Sequence, residues 1–141
     1  MQIINIPGTT IPYSDTNIAA FSYIKPLILA TGGLSLSQIC AITGLEPSTI
    51  QNWVKRTWIG AVKDKKYTEG QVARILIFNA LRGCMQLDNI AKLLKYINGI
   101  PMDITDDIIE EGDLFNYLCA CVRAVGYDIS SVPRVIGAVL Q

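Results

Sequence analysis

The stretch from Val72 to Leu81 constrains this chain more than any other. Val72, Ala73, Ile75, Leu76, Ile77, Phe78, Ala80 and Leu81 surround nearly the whole circumference of a helix, and a helix that is apolar all round must be enclosed on every side. Thr68-Glu69-Gly70-Gln71 just before it is a capping box, with the Thr68 hydroxyl placed to accept from the Gln71 N–H and the Gln71 side chain to reach back. The spacing predicts a central buried helix running to about Arg82, covered by other helices. With 141 residues, half of them apolar and 17% charged, the chain can bury such a core within one domain.

The sequence contains no histidine. That removes Ser-His and Cys-His nucleophile pairs, His-ligated zinc and imidazole bases, and no convergent acid, base and pocket stands out, so an enzyme is not expected. Cys40, Cys84, Cys119 and Cys121 are too sparse for a disulfide framework. They read as small core residues, because Cys119 and Cys121 would diverge on a helix and cannot easily share an ion. Asp106, Asp107, Glu110 and Glu111 have helical spacing that a hard cation could use, but a solvated helix start is the plainer reading. No cofactor is expected. Met1 to Asn5 lacks a basic leader, and the run Pro26–Ala30 is far below the roughly 20 residues of a spanning helix. The expectation is a reduced, cytoplasmic, soluble protein with no membrane partner.

The net charge of zero is a cancellation. Before Asp103 there are ten bases and five acids; from Asp103 onward there are two bases and seven acids. The densest basic stretch is Lys55 to Lys66, with five bases and one acid. Such asymmetry points to an anionic partner for one part of the chain, although a solvated face would also produce it.

Residues 1–34 are punctuated by proline and glycine and leave room for a short helix around Thr16–Ile24 and another after Pro26. Ser35-Leu36-Ser37-Gln38 is a second capping box, opening a helix that Gly44 ends. Pro47 then occupies a first helical position, and the next helix should reach about Trp58. On it Pro47, Ile50, Trp53 and Val54 share one side, while Ser48, Thr49, Gln51, Asn52, Lys55 and Arg56 share the other. Two short helices joined by a tight glycine turn form a helix-turn-helix pattern. Ile59 to Tyr67 is too polar for a helix and reads as a small basic hairpin, a candidate wing. Beyond the central helix, Ile90, Leu93, Leu94 and Ile97 stripe another helix closed by Asn98-Gly99. In the acidic part Gly112 is expected to interrupt, and Asp113 to cap a helix carrying Leu114, Tyr117, Leu118, Cys121, Val122 and Val125. A final short helix is expected from Ser131, with Val132, Ile136, Val139 and Leu140 on one face.

This order of elements resembles the MerR-type winged-helix DNA-binding domain. The resemblance rests on the segments Leu36 to Ile50, Lys66 to Ile75, and Leu81-Arg82 followed by Leu87 to Leu94, and covers residues 34–98. The chain as a whole further resembles an uncharacterised bacterial family, a domain of unknown function built around such a core, through Thr49-Ile50-Gln51-Asn52-Trp53-Val54-Lys55-Arg56. Two departures stand out. Gln51-Asn52-Trp53 replaces an Arg-Tyr-Tyr run usual in MerR-type regulators, and no long heptad helix follows residue 98.

The resemblance implies an all-α fold, mainly helical with a small β wing, divided into residues 1–34 (an extension), 35–98 (the winged helix-turn-helix) and 99–141 (an acidic helical segment for packing or dimerisation). It implies a transcriptional regulator that places its second helix in the major groove of double-stranded DNA. Gln51 and Asn52 would suit adenine edges, with Ser48 and Thr49 beside them. Lys55 and Arg56 would reach guanine or phosphate, and Lys63, Lys65, Lys66 and Tyr67 of the wing would lie on the phosphate backbone. A homodimer is expected, because one short helix makes too few contacts for useful specificity. The alternatives are a MerR-like fold repurposed as a protein-interaction adaptor, or a sensor for an unidentified small molecule.

Overall fold

The central helix α4 (Glu69–Leu81) is enclosed almost completely: every residue from Gln71 to Phe78 is buried in the computed structural model, which describes residues 5–13, 18–98 and 111–124. Its start is fixed by the capping box, with Gln71 N–H donating to Thr68 Oγ1 at 3.3 Å and Thr68 N–H to Gln71 Oε1 at 2.9 Å. Around it stand α1 (Lys25–Thr31), α2 (Leu36–Thr43), α3 (Pro47–Lys55), α5 (Leu87–Asn98) and α6 (Glu111–Ala124), with a 3-10 turn at Ala20–Tyr23. The described part of the chain is mostly helical. Its only β pairing is three isolated bridges, Asn5 with Pro12, Leu34 with Tyr67 and Lys63 with Lys66.

α6 packs along α4 and against the 3-10 turn. The sequence predicts a break at Gly112 and a cap at Asp113, but both are helical residues of α6. The glycine serves a close approach instead: a Cβ there would stand 3.1 Å from Phe21 Cδ2. The buried stripe is also turned from the predicted one. Phe115 and Cys119 join Leu114, Leu118 and Cys121 in the core, whereas Tyr117 is exposed. Phe115 draws the stripe round by meeting Phe21 edge-on, with ring centroids 6.0 Å apart.

At the other end of the chain, the helix predicted around Thr16–Ile24 is reduced to the 3-10 turn, and Thr16 lies outside the described residues. Ile6 is fully buried and Gly8 is pressed onto α4, with φ 77° and a position where a Cβ would meet Leu76 O at 2.5 Å. Ile6 and Gly8 of the extension therefore pack into the core. The predicted final helix from Ser131, the acidic set Asp106–Glu110, Gly99 and the side chains of Ile97, Glu111 and Val122 lie outside the described residues. Among the described residues, no helix is long and apolar enough to cross a membrane.

Candidate nucleic-acid interface

α2 opens on its capping box, Ser35 N–H to Gln38 Oε1 at 2.8 Å and Gln38 N–H to Ser35 Oγ at 3.3 Å, and closes on Gly44 in the left-handed conformation. The buried Thr43 hydroxyl donates to Ile39 O and accepts from Leu45 N–H, which stiffens the turn into α3. On α3, Ile50 and Trp53 are buried and Val54 is half-buried. Pro47, assigned to that side by its spacing, is exposed at the first turn, where the helix has not yet reached the core. The opposite face is as expected from its polarity: Ser48, Gln51, Asn52, Lys55 and Arg56 are exposed and Thr49 is half-buried.

α3 ends at Lys55, short of the predicted Trp58. The stop is a Schellman closure, with Trp58 N–H donating to Trp53 O at 3.2 Å and Thr57 N–H to Val54 O at 2.9 Å. It puts Thr57 at φ 65°, a conformation that branched residues seldom adopt. Trp58 turns back onto the core and stacks on Phe78 at 5.3 Å and 12°. The Arg56 guanidinium lies 5.2 Å from the Trp58 ring centroid, within cation–π range, and 4.0 Å from Asp88 Oδ1. Both charged groups are more than half exposed, so that ion pair holds Arg56 only weakly.

The basic segment that follows is a reversal without strands. Asp64 and Lys65 have φ 54° and 59°, the values of a type I′ turn, and Lys66 N–H donates to Lys63 O at 3.0 Å. A longer ladder does not form, because the carbonyls leading into it are taken from the side. Gln71 Nε2 donates to Gly60 O (3.2 Å) and Ala61 O (2.9 Å), and Arg74 Nη1 to Trp58 O (3.3 Å). Lys63 and Lys65 are exposed and Lys66 is half-buried. Tyr67 corrects the predicted set: it is only 4% exposed, a core residue whose backbone pairs in both directions with Leu34. Burial, and then the Cys40 thiol, push its phenol above the ordinary value. Arg74, one of the bases behind the local positive charge, is likewise buried, because it serves the Trp58 carbonyl.

A shallow open groove of about 610 Å³ adjoins α3, lined by Asn52, Arg56 and Trp58 on one side and by Arg82 through Asp88 on the other. It brings exposed Arg82 beside Arg56 and Asn52, an addition that spacing along α3 could not reveal. The signal in the sequence was only that Arg82 follows the buried stripe of α4. The cysteines sit differently. Cys119 and Cys121 are buried, Cys40 and Cys84 half-buried, and none of the four is in a disulfide. Burial raises the thiols of Cys119 and Cys121, and burial followed by the Glu46 carboxylate raises that of Cys40. Such thiols are poor nucleophiles and poor ligands.

The chain is 32% identical over 84 residues to "Uncharacterized protein YkrK" of Bacillus subtilis (strain 168), a match covering 54% of this chain and 34% of that protein. The matched region thus spans about a third of that relative. No solved structure matches the chain significantly. The family described as "Domain of unknown function (DUF1836)" matches residues 32–117, a stretch running from just before α2 into α6 and covering more than half of the chain. The protein belongs to that family.

Proposed function

We propose that this protein is a DNA-binding transcriptional regulator with a MerR-like winged helix-turn-helix core, acting as a homodimer. The observation that carries the reading is the exposed polar face of α3, where Ser48, Gln51, Asn52, Lys55 and Arg56 point away from a core anchored by Ile50 and Trp53. Two further cationic pieces add to it, Arg82 across the adjoining groove and the Lys63–Lys66 reversal that follows α3 in the chain. In this reading Gln51 and Asn52 face base edges, Lys55 and Arg56 reach guanine or phosphate, and Lys63, Lys65 and Lys66 neutralise backbone charge. The reversal plays the part of the wing, and a second copy repeats the contact on the other half-site.

The test is a fluorescence-anisotropy salt titration with mixed-sequence duplex. Lys65→Glu combined with Lys66→Glu is expected to weaken binding and flatten the slope of log K against log salt by about two units. An unchanged slope, or a parent protein with no salt-dependent affinity, overturns the proposal. A second reading, a protein-interaction adaptor, draws on α1, where Leu27 and Leu29 are 41% and 67% exposed. Absence of duplex affinity together with a protein partner displaced by Leu29→Asp would favour it.

A further inference from the structure

The segment before α1 reaches the α2–α3 turn directly. Thr10 N–H donates to Ile42 O at 2.7 Å, and its hydroxyl donates to Ala41 O and Ile42 O at 3.2 and 3.3 Å. These are carbonyls of the last turn of α2, which a helix end leaves without intrahelical donors. From the other side, Asn79 of α4 donates through Nδ2 to both Gly8 O (2.8 Å) and Thr43 O (3.3 Å). One amide therefore joins the N-terminal loop, the end of α2 and the central helix. The loop is itself preformed: Ile6 N–H donates to Ile11 O, and Thr9 N–H and its hydroxyl both donate to Ile6 O. Gly8 then sits against the α4 backbone so closely that no side chain fits.

We propose that residues 5–13 are a clamp that sets the angle of α3 against α4, with Asn79 and Thr10 as positioning residues for the candidate interface. The inference rests on the DNA-binding reading. It goes beyond it by making the N-terminal segment a working part of the interface, although none of its residues lies on α3 or the basic reversal. A recognition helix that samples more than one angle binds only through the competent fraction, so affinity falls in proportion to that fraction.

The experiment compares the full chain with Asn79→Ala and Thr10→Val, measuring duplex affinity, its salt slope, the thermal melt and amide deuterium uptake by segment. Loss of the two Asn79 bonds is expected to weaken duplex binding about five- to tenfold. The salt slope should stay at the parent value, because every cation of the interface is still present. Deuterium uptake should rise selectively over residues 41–46 and 6–10. Thr10→Val, which removes only the hydroxyl, should move the same readouts by about two- to threefold in affinity, and it serves alone if Asn79→Ala does not fold. Parent-like affinity in a folded variant, or uptake rising evenly over the whole chain, overturns the clamp. If the parent binds no duplex, the functional reading fails. The uptake pattern still decides whether the loop holds the turn.

Discussion

Thr57 offers a direct test of how α3 is closed. A residue with a Cβ in the left-handed region costs roughly 1–2 kcal/mol relative to its relaxed conformation, and Thr57, at φ 65°, carries that cost. Thr57→Gly removes it but gives the unfolded chain more freedom, which takes back about 0.5–1 kcal/mol. The Thr57 hydroxyl bond to Arg56 O is solvent-exposed and contributes little to the balance. The net expectation is a stabilisation of about 0.5–1 kcal/mol, or a rise of roughly 2–5 °C in the midpoint of thermal unfolding. Urea unfolding and calorimetry both read it. Thr57→Ala is the control, since it loses the branch and the hydroxyl but keeps the Cβ, and should stay within about 0.5 kcal/mol of the parent. If Thr57→Gly leaves the midpoint unchanged or lowers it, the backbone at the end of α3 is not strained as described and the Schellman reading of this closure is wrong.

Two further outcomes follow from burial. Cys40, Cys119 and Cys121 have folded-state pKa values raised above the ordinary 9.0, so the folded protein keeps protons that the unfolded chain loses. Stability is then level below pH 9 and falls above it, by about 1.4 kcal/mol per pH unit for one fully protonated thiol. Urea midpoints at pH 8, 9 and 10 under reducing conditions should show the fall, and Cys119→Ala should make it shallower; a profile that does not change with pH contradicts the buried thiols. Gly112→Ala should destabilise by about 1 kcal/mol, because the clash with the buried Phe21 ring outweighs the gain in helix propensity. A stabilised variant would show that α6 can move off Phe21.

What could be read from the sequence was local. Both capping boxes form as their spacing predicts, α4 is the buried helix, and the polar side of α3 faces outward. Each of these depends on residues within one or two turns of each other. Where the reading failed, a distant partner decided. The stripe on α6 turns towards Phe115 because Phe21 lies there, and the same ring leaves little room for a side chain at Gly112, inside the helix. Tyr67 is in the core because its backbone pairs with Leu34, more than thirty residues away. α3 stops early because Trp58 is drawn back onto Phe78. For the candidate site, the residue types and their exposure were legible on α3. The approach of Arg82 and the support from the N-terminal loop were not, since no pattern within a segment encodes which carbonyl a far side chain will serve.

The polar residues of α4 tie these observations together. A helix at the centre of a small helical protein could be wholly apolar, yet in α4 Gln71 and Arg74 are buried and Asn79 is half-buried. Between them they donate to the carbonyls of Gly60, Ala61, Trp58, Gly8 and Thr43. A buried carbonyl left without a donor costs about 1–3 kcal/mol, so connections that run against the core need such donors or must move out into water. Supplying them from α4 lets the α2–α3 turn, the end of α3 and the approach to the basic reversal all rest on one rigid element. That ties the position of α3 and of the basic reversal to the same helix, as the proposed contact with a duplex would need. It also couples the candidate interface to the core. A substitution inside α4 that kept its volume and lost its amide would leave the hydrophobic packing intact and still let the interface drift.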